Sequence, residues 1–286
     1  MKIGILGYGS IGRRHAANAR TLGHEVIVYD PMLQDNDVKF EREVYDLADA
    51  VVIATPSDCH EAGLRACIER GKHVLVEKPI STSLGQLPAL LDRAYEKDLV
   101  VMMGNNLRFH ASTKRAKQLI DSHALGQVRW ANFICATEYT ATAARDGVIL
   151  NTGSHEVDLA LHLLGPADVL TATSDRDISA DFVLQHHRGN VRSTFHIDID
   201  TPARVRQFWI SGTENSYQFD LDVRTSYSHS DKGTYLGGSY DNDYIEEMRT
   251  FIDRVEGNSS ASGADGYSGL DVLHVLLDVR KMAGLM

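Results

Sequence analysis

The chain has 286 residues, and because a single domain usually holds about 100 to 200 residues, we expect one large domain or two moderate ones. Hydrophobic residues make up 43% and charged residues 24% of the sequence, which argues against a largely disordered, collagenous or membrane-spanning chain. The 29 basic and 39 acidic residues give a net charge of −10 without a basic cluster, so binding to nucleic acid or to an anionic membrane is disfavoured.

The cysteines and the first residues point to a reducing compartment. Cys59, Cys67 and Cys135 form no CxxC pair, and they predict neither a disulfide framework nor a cysteine zinc site. The first apolar run is short and interrupted by glycine, unlike a signal peptide, and no run of about 18 apolar residues occurs. We therefore expect a cytoplasmic protein that is neither exported nor inserted in a membrane.

The first hundred residues alternate short β-branched runs with helical stretches. The pattern predicts the order β-α-β-β-α-β-α-β, with strands at 2–6, 25–29, 50–54, 73–76 and 99–103 and helices at 11–22, 59–70 and 84–97. The runs at 51–54 and 100–103 are apolar throughout, as in strands that helices cover on both faces. The pattern is typical of a doubly wound parallel sheet.

The second half has longer strands with rough alternation of polar and apolar residues. They are predicted at 128–139, 168–173, 182–186, 191–199, 205–211 and 217–221, with helices at 154–164, 244–255 and 268–283. Gly189-Asn190 is predicted to form the tight turn of an antiparallel hairpin. We expect an α/β chain: a Rossmann domain at 1–122 and an α+β domain with a mostly antiparallel sheet at 123–286, whose final helix can pack back on the first domain. The cleft between two such domains is the expected ligand site.

A glycine motif, Gly7-Tyr8-Gly9-Ser10-Ile11-Gly12, stands between the first predicted strand and the first helix. Gly7 allows a sharp turn, Gly9 lets the backbone approach a pyrophosphate, and Gly12 lets the helix pack on the strand. The anion would lie at the helix N-terminus. Asp30 ends the second strand, where its carboxylate would accept hydrogen bonds from the adenosine ribose and repel a 2′-phosphate, so NAD is predicted over NADP.

Two further motifs follow in the chain. Residues 54–60 read ATPSDCH, and residues 71–79 read GKHVLVEKP. With the glycine motif, in this order and spacing, they resemble the Gfo/Idh/MocA family of oxidoreductases. Residues 153–165, which read GSHEVDLALHLLG, look like the helix that opens the second domain in that family. The resemblance covers nearly the whole chain and implies an NAD(P)-dependent dehydrogenase that acts on CH–OH donors.

The resemblance also implies roles for individual residues. Lys78 reaches the substrate beside the nicotinamide, the preceding Glu77 belongs to the cofactor site, and His155 acts as the acid/base. The family usually has an aspartate four residues before that histidine, where this chain has Asn151. By position Asn151 completes the catalytic and substrate-binding set with Lys78 and His155, but an amide can only hydrogen-bond a substrate hydroxyl and cannot take its proton, so any step that the family gives to that aspartate is left open here. Histidine suits the proton transfer because its pKa of about 6.5 is close to operating pH.

Other candidate contacts follow the third and fifth strands. The resemblance puts Thr55 and Pro56 beside the nicotinamide ribose, although Thr55 and Pro56 can equally precede an ordinary helix start. His60 either faces the expected cleft at the cofactor or covers its own helix. Asn106 is a candidate for cofactor or substrate contact. Arg108 either binds an anionic group of the substrate or forms an ordinary ion pair.

No metal site is predicted, although the chain has 13 histidines. His186 and His187 are adjacent in a predicted strand and therefore point to opposite faces. His155, Asp158 and His162 can share a helix face, but no HExxH motif or carboxylate-rich pattern accompanies them.

Three functions are weighed. The leading one is an NAD-dependent oxidoreductase that transfers a hydride between nicotinamide and a secondary hydroxyl of a sugar, cyclitol or sugar derivative. The second is an NAD-dependent glycoside hydrolase, which would cleave its substrate without net accumulation of NADH. The third is a noncatalytic NAD-responsive regulator. Asn151 in place of the aspartate favours this function, whereas the presence of both Lys78 and His155 disfavours it. The expected assembly is a homodimer or homotetramer.

Overall fold

The computed structural model describes residues 1–138, 141–202, 204–221, 227–230, 233–236, 241–258 and 263–286, of which 141–144, 227–230, 233–236 and 241–242 are described by their backbone alone. The chain forms two compact units. The first comprises Met1–Asn106 and Tyr244–Leu270, and the second comprises Leu107–Asp243 and Asp271–Met286.

The strands and helices are numbered in chain order. The strands are β1 (Lys2–Leu6), β2 (Glu25–Tyr29), β3 (Ala50–Ile53), β4 (His73–Glu77), β5 (Val101–Gly104), β6 (Val128–Ala136), β7 (Ala167–Asp175), β8 (Ser179–His186), β9 (Arg192–Asp198), β10 (Val205–Gly212), β11 (Ser216–Asp220), β12 (Tyr227–Ser230), β13 (Gly233–Leu236) and β14 (Ala264–Asp265). The helices are α1 (Ser10–Thr21), α2 (Glu41–Leu47), α3 (His60–Glu69), α4 (Leu87–Glu96), α5 (Ala111–Asp121), α6 (Ala141–Asn151), α7 (Gly153–Leu164), α8 (Asp241–Val255) and α9 (Gly266–Met282).

The sheet of the first unit has the strand order β14-β5-β4-β3-β1-β2. Strands β1 to β5 run parallel, and β14 pairs antiparallel with β5 at the edge, Ala264 opposite Met103. Every residue of β3 and β5 is buried, as the continuously apolar runs predicted. The doubly wound parallel sheet is therefore confirmed.

The predicted step from β2 directly to β3 was wrong, because α2 lies between them. Strands β2 and β3 lie on either side of β1 and run in the same direction, so the chain needs a crossover connection to return from the end of β2 to the edge of the sheet where β3 begins. Helix α2 has seven residues and buries only Val44 and Tyr45, so its apolar pattern is too short to predict a helix from the sequence. Helices α5 and α6 were also not predicted; α5 buries the polar residues Ser112 and Thr113, which obscures its apolar stripe.

The sheet of the second unit has the order β13-β12-β11-β10-β6-β9-β8-β7, and it is antiparallel except for the β6–β9 pair. The mostly antiparallel sheet is thus confirmed. The β8–β9 hairpin turns where predicted, with Gly189 and Asn190 at φ values of 70° and 54°.

A row of five stacked phenylalanine rings fills the buried face of this sheet. Neighbouring rings belong to residues directly opposite each other on adjacent strands, and their centroids lie 4.4 to 5.5 Å apart. In spatial order the rings are Phe182, Phe195, Phe133, Phe208 and Phe219. Phe195, Ile197 and Ile199 are buried, whereas Thr194, His196 and Asp198 on the opposite face are partly exposed, as the alternation predicted.

Helix α7 packs closely within this unit. A Cβ atom at Gly153 would lie 3.2 Å from the Ile197 Cδ1 atom on β9 and 3.2 Å from the Leu276 Cδ2 atom on α9, so glycine allows α7 to begin close to both. Within the described residues, no helix has the length and apolar composition to cross a bilayer.

Candidate active site

The glycine motif forms a turn between β1 and α1 that leaves room above Gly9. Gly7 has a φ of +86°, in the left-handed region that favours glycine. A Cβ atom at Gly12 would lie 2.0 Å from the Gly7 carbonyl oxygen, whereas one at Gly9 would meet no atom within 4 Å in the part of the chain that the structure describes. Among the described residues, no side chain caps the N-terminus of α1. The turn therefore offers unpaired helix N–H groups beside open space, which is the arrangement that holds a phosphate.

The Asp30 carboxylate lies directly at this turn. Its Oδ2 atom accepts the Tyr8 N–H at 2.7 Å, and its Oδ1 atom accepts the Met32 N–H at 2.8 Å. Asn36 fixes the backbone of Asp30 from the other side, because it accepts the Asp30 N–H at 2.7 Å and donates to the Asp30 carbonyl at 2.9 Å. The sequence reasoning missed Asn36, which lies in the loop after β2 and carries no motif.

The carboxyl ends of β3 and β4 are joined by one imidazole. His60, the first residue of α3, places its Nδ1 atom 2.7 Å from the Pro79 carbonyl oxygen and its Nε2 atom 2.9 Å from the Thr55 carbonyl oxygen. His60 is 1% exposed, and the Lys78-Pro79 peptide bond is cis. The Thr55-Pro56 and Lys78-Pro79 segments are therefore held side by side.

Glu77 connects this edge of the sheet to the helix of the glycine motif. Its Oε1 atom accepts a hydrogen bond from the His15 Nε2 atom at 2.8 Å, and its Oε2 atom accepts the Lys78 N–H at 3.2 Å. Burial alone would raise the pKa of Glu77, but the hydrogen bond and charge of His15, with the charges of Lys78 and His60, hold that pKa below its ordinary value. His15 was missed, although it is a polar residue in the buried stripe of α1.

Several buried polar atoms at the same edge have no hydrogen-bond partner among the described residues. They are the Thr55 Oγ1 atom after β3, both amide atoms of Asn105 and the Asn106 Nδ2 atom after β5. Buried polar groups are normally satisfied, so unsatisfied ones at the carboxyl end of a parallel sheet fit a site that a ligand completes. With the open space above Gly9, they fit a dinucleotide.

In the second unit, α6 ends at Asn151 and α7 begins at Gly153. Thr152 between them has helical backbone angles, and the Thr152 N–H bonds to the Val148 carbonyl at 2.9 Å, so the helical path is nearly continuous. Asn151 and His155 therefore stand about one turn apart, as they would on a single helix. Both side chains are partly exposed.

Two buried carboxylates on α7 are paired with arginines of the same unit. Arg108 donates from its Nε atom to the Asp158 Oδ2 atom at 2.8 Å and from its Nη2 atom to the Oδ1 atom, so the pair is bidentate. Arg206 donates to the Glu156 Oε1 atom at 2.9 Å. Of the two alternatives for Arg108, the structure thus contains the ion pair, and contact with a substrate stays a prediction.

One group among the described residues brings three potential metal ligands together. Atoms of His15, Glu77 and Glu247 lie within 4.8 Å of one another, all in the first unit. The His15 Nε2 and Glu77 Oε1 atoms are hydrogen-bonded to each other at 2.8 Å. This geometry is that of a buried polar network.

The geometry of the first unit is that of a dinucleotide-binding protein, and comparison of the chain with known protein families gives the same class. Residues 1–105 match the model of an oxidoreductase family with an NAD-binding Rossmann fold, Gfo/Idh/MocA, and residues 113–218 match the model of a C-terminal domain of the same family. Between them the two models match nearly three quarters of the chain.

Individual relatives match over almost the full length. Myo-inositol 2-dehydrogenase of Thermotoga maritima is 22% identical over 94% of this chain and 93% of its own. The structure of UDP-N-acetylglucosamine 3-dehydrogenase from Acidithiobacillus ferrooxidans has a TM-score of 0.85 at 21% identity and covers 100% of this chain and 98% of its own. An inositol dehydrogenase homologue from Azotobacter vinelandii, solved with NADH and myo-inositol, has a TM-score of 0.82 at 15% identity and covers 99% and 95%.

The chain is therefore an oxidoreductase with an NAD-binding Rossmann fold. It belongs to the Gfo/Idh/MocA family.

Proposed function

We propose that this protein is an NAD-dependent dehydrogenase that moves a hydride between nicotinamide and a secondary hydroxyl of a sugar, cyclitol or sugar derivative. The proposal rests mainly on one observation: the open glycine turn, the Asp30 carboxylate and the buried polar atoms without hydrogen-bond partners among the described residues all lie at the carboxyl edge of the first unit's sheet. The names of the relatives support the substrate class, since they include cyclitol and amino-sugar nucleotide dehydrogenases.

The chain's own residues would move the proton. Bound NAD accepts the hydride from the substrate carbon. We assign His155 as the base that takes the hydroxyl proton and Lys78 as the ammonium that favours the alkoxide while that proton leaves. Asn151 would bind a substrate hydroxyl, because its amide can donate and accept but cannot take up the proton. Glu77, with a lowered pKa, supplies a negative charge next to Lys78 and so favours its charged form.

The test is NADH formation with a panel of cyclitols, aldoses and nucleotide sugars. We expect turnover with at least one of them, and a loss of about 100-fold or more in kcat for Lys78→Ala and for His155→Asn, since general acid–base groups contribute about 10²- to 10⁴-fold. Lys281→Ala and His274→Asn are the matched controls, because both residues are exposed on α9.

The outcome separates the three functions. NADH that accumulates with substrate supports the dehydrogenase. Cleavage of a glycoside with catalytic NAD and no net NADH would replace it by the hydrolase, and NAD binding without turnover of any compound would replace it by the regulator.

We further propose that the cofactor is NAD and that NADP is rejected. The Asp30 carboxylate is held at the glycine turn by the Tyr8 and Met32 N–H groups, so it cannot swing away from a 2′-phosphate without breaking both bonds. Asp30→Asn removes the charge and keeps the shape. We expect the ratio of kcat/KM for NAD over NADP to fall at least about tenfold, which is about 1.4 kcal/mol of discrimination. An unchanged ratio would show that the carboxylate does not select the cofactor.

The assembly and the compartment stay predictions. None of the three cysteines is in a disulfide, in keeping with a reducing environment. We expect a homodimer or homotetramer, which light scattering coupled to size-exclusion chromatography would measure directly.

A further inference from the structure

His60 has an environment that decides its protonation state. Both ring nitrogens face backbone carbonyl oxygens, the Pro79 oxygen at 2.7 Å and the Thr55 oxygen at 2.9 Å. A carbonyl oxygen can accept a hydrogen bond but cannot donate one. A neutral imidazole carries a single N–H, so one nitrogen would direct its lone pair at an oxygen lone pair at hydrogen-bond distance. Only the imidazolium ion, with two N–H donors, makes both contacts attractive.

The surroundings of His60 pull in both directions. Burial, the N-terminus of α3 and the charge of Lys78 disfavour a positive charge on the ring. Two charge-assisted hydrogen bonds favour it, and so does the Glu77 carboxylate, whose pKa is lowered in part by His60. Without the second proton, either the Thr55 or the Pro79 carbonyl oxygen would lose this N–H donor and face a nitrogen lone pair instead, which is unfavourable away from water.

A second buried histidine shows the contrast. His186 places its Nδ1 atom 2.7 Å from the Gly165 carbonyl oxygen and its Nε2 atom 2.9 Å from the Ser193 Oγ atom. A serine hydroxyl can donate, so neutral His186 satisfies both contacts with a single N–H. Burial moreover lowers the pKa of His186. The two residues are 1% and 2% exposed, and only the contacts of His60 need two N–H donors.

We propose that His60 is a positioning residue that works as an imidazolium ion: its two N–H groups tie the Thr55 and Pro79 carbonyls together and so fix the segment of Lys78 relative to the end of β3. The charge is a property of the fold of the first unit alone. Its consequence for catalysis rests on the proposed function, because it assumes that Lys78 acts on the substrate.

Nitrogen-15 NMR of the histidine rings tests the charge without any activity measurement. At pH 8, a histidine with the ordinary pKa of about 6.5 is neutral. We expect the His60 ring to show two protonated nitrogens at pH 8 and the His186 ring to show one. The variants His60→Gln and His186→Gln assign the two signals by their loss. A His60 ring with one unprotonated nitrogen at pH 8 would overturn the proposal, whatever the enzyme does.

Kinetics of His60→Gln test the positioning. Glutamine can donate to one of the two carbonyls but not to both across the same gap. We expect kcat to fall about 10- to 100-fold, because small displacements of a reacting group have effects of this size. Calorimetry should show NAD affinity changed less than about threefold, since the glycine turn is untouched.

His186→Gln is the control and should leave kcat unchanged. If His60→Gln keeps the kcat of the unmodified protein, His60 does not position Lys78. If the unmodified protein turns over no substrate, the proposed function fails while the NMR result still decides the charge of His60.

Discussion

The ion pair between Arg108 and Asp158 gives the most direct test of how the second unit is held together. Its two hydrogen bonds join the segment before α5 to α7, and the side chains are 11% and 1% exposed. Asp158→Ala removes the carboxylate that binds the buried Arg108 guanidinium through two hydrogen bonds. Removing one partner of a buried ion pair costs about 3–5 kcal/mol. We expect this loss in the free energy of unfolding of the second unit.

Tryptophan fluorescence reports on the sheet of the second unit. The chain has two tryptophans, Trp130 on β6 and Trp209 on β10, and both belong to the second unit's sheet. With a urea m-value of about 2–3 kcal/mol/M, the expected loss of about 3–5 kcal/mol lowers the unfolding midpoint by about 1–2.5 M. The double variant Arg108→Met with Asp158→Leu removes both charges and should recover most of the midpoint, since apolar replacement of a buried pair is often neutral or stabilising.

An exposed pair on α5 supplies the matched control. Lys117 and Asp121 form an ion pair whose side chains are 38% and 57% exposed. Asp121→Ala should cost less than about 1 kcal/mol, because solvent screens such pairs. Two results would refute the reasoning: a midpoint shift for Asp158→Ala no larger than that for Asp121→Ala, or a double variant as unstable as the single one.

Three further predictions concern the two units separately. Burial lowers the pKa of His110 to about 4, so between pH 6.5 and 4 the unfolded chain binds a proton that the folded chain does not, and stability falls by up to about 3 kcal/mol. His110→Asn keeps a side chain that can cap α5 but does not titrate in this range. Urea unfolding should therefore show that this variant loses about 3 kcal/mol less stability between pH 7 and pH 4 than the unmodified protein does. Phe133→Ala removes the middle ring of the phenylalanine row and should cost about 3–5 kcal/mol, measured by the same fluorescence; a cost below 1 kcal/mol would contradict the packing. Gly9→Ala should abolish NAD binding in calorimetry and leave the melting temperature unchanged. Gly12→Ala should lower both the NAD affinity and the melting temperature, because of the two added Cβ atoms it is the one at Gly12 that would collide with the backbone.

The sequence predicts features that depend on neighbours along the chain. The parallel sheet, the β8–β9 hairpin and the glycine turn each follow from a local pattern, and the structure has all three. Features that pair distant residues could not be predicted. His15 meets Glu77 across 62 positions, and Arg108 meets Asp158 across 50. Such pairs depend on where each crossover returns the chain to its sheet, and no local periodicity encodes that position.

Motif residues at the sheet edge divide into two kinds that the sequence does not distinguish. Thr55 and Asn106 have buried polar atoms without a hydrogen-bond partner among the described residues. A bound ligand can supply these missing partners. Both nitrogens of His60 and both carboxylate oxygens of Glu77 already have partners within the first unit. A motif match treats all four as equivalent site residues. Their hydrogen bonds separate Thr55 and Asn106, which we propose contact the cofactor, from His60 and Glu77, which we propose position Lys78. Substitution of the first two should change KM for NAD, and substitution of the second two should change kcat.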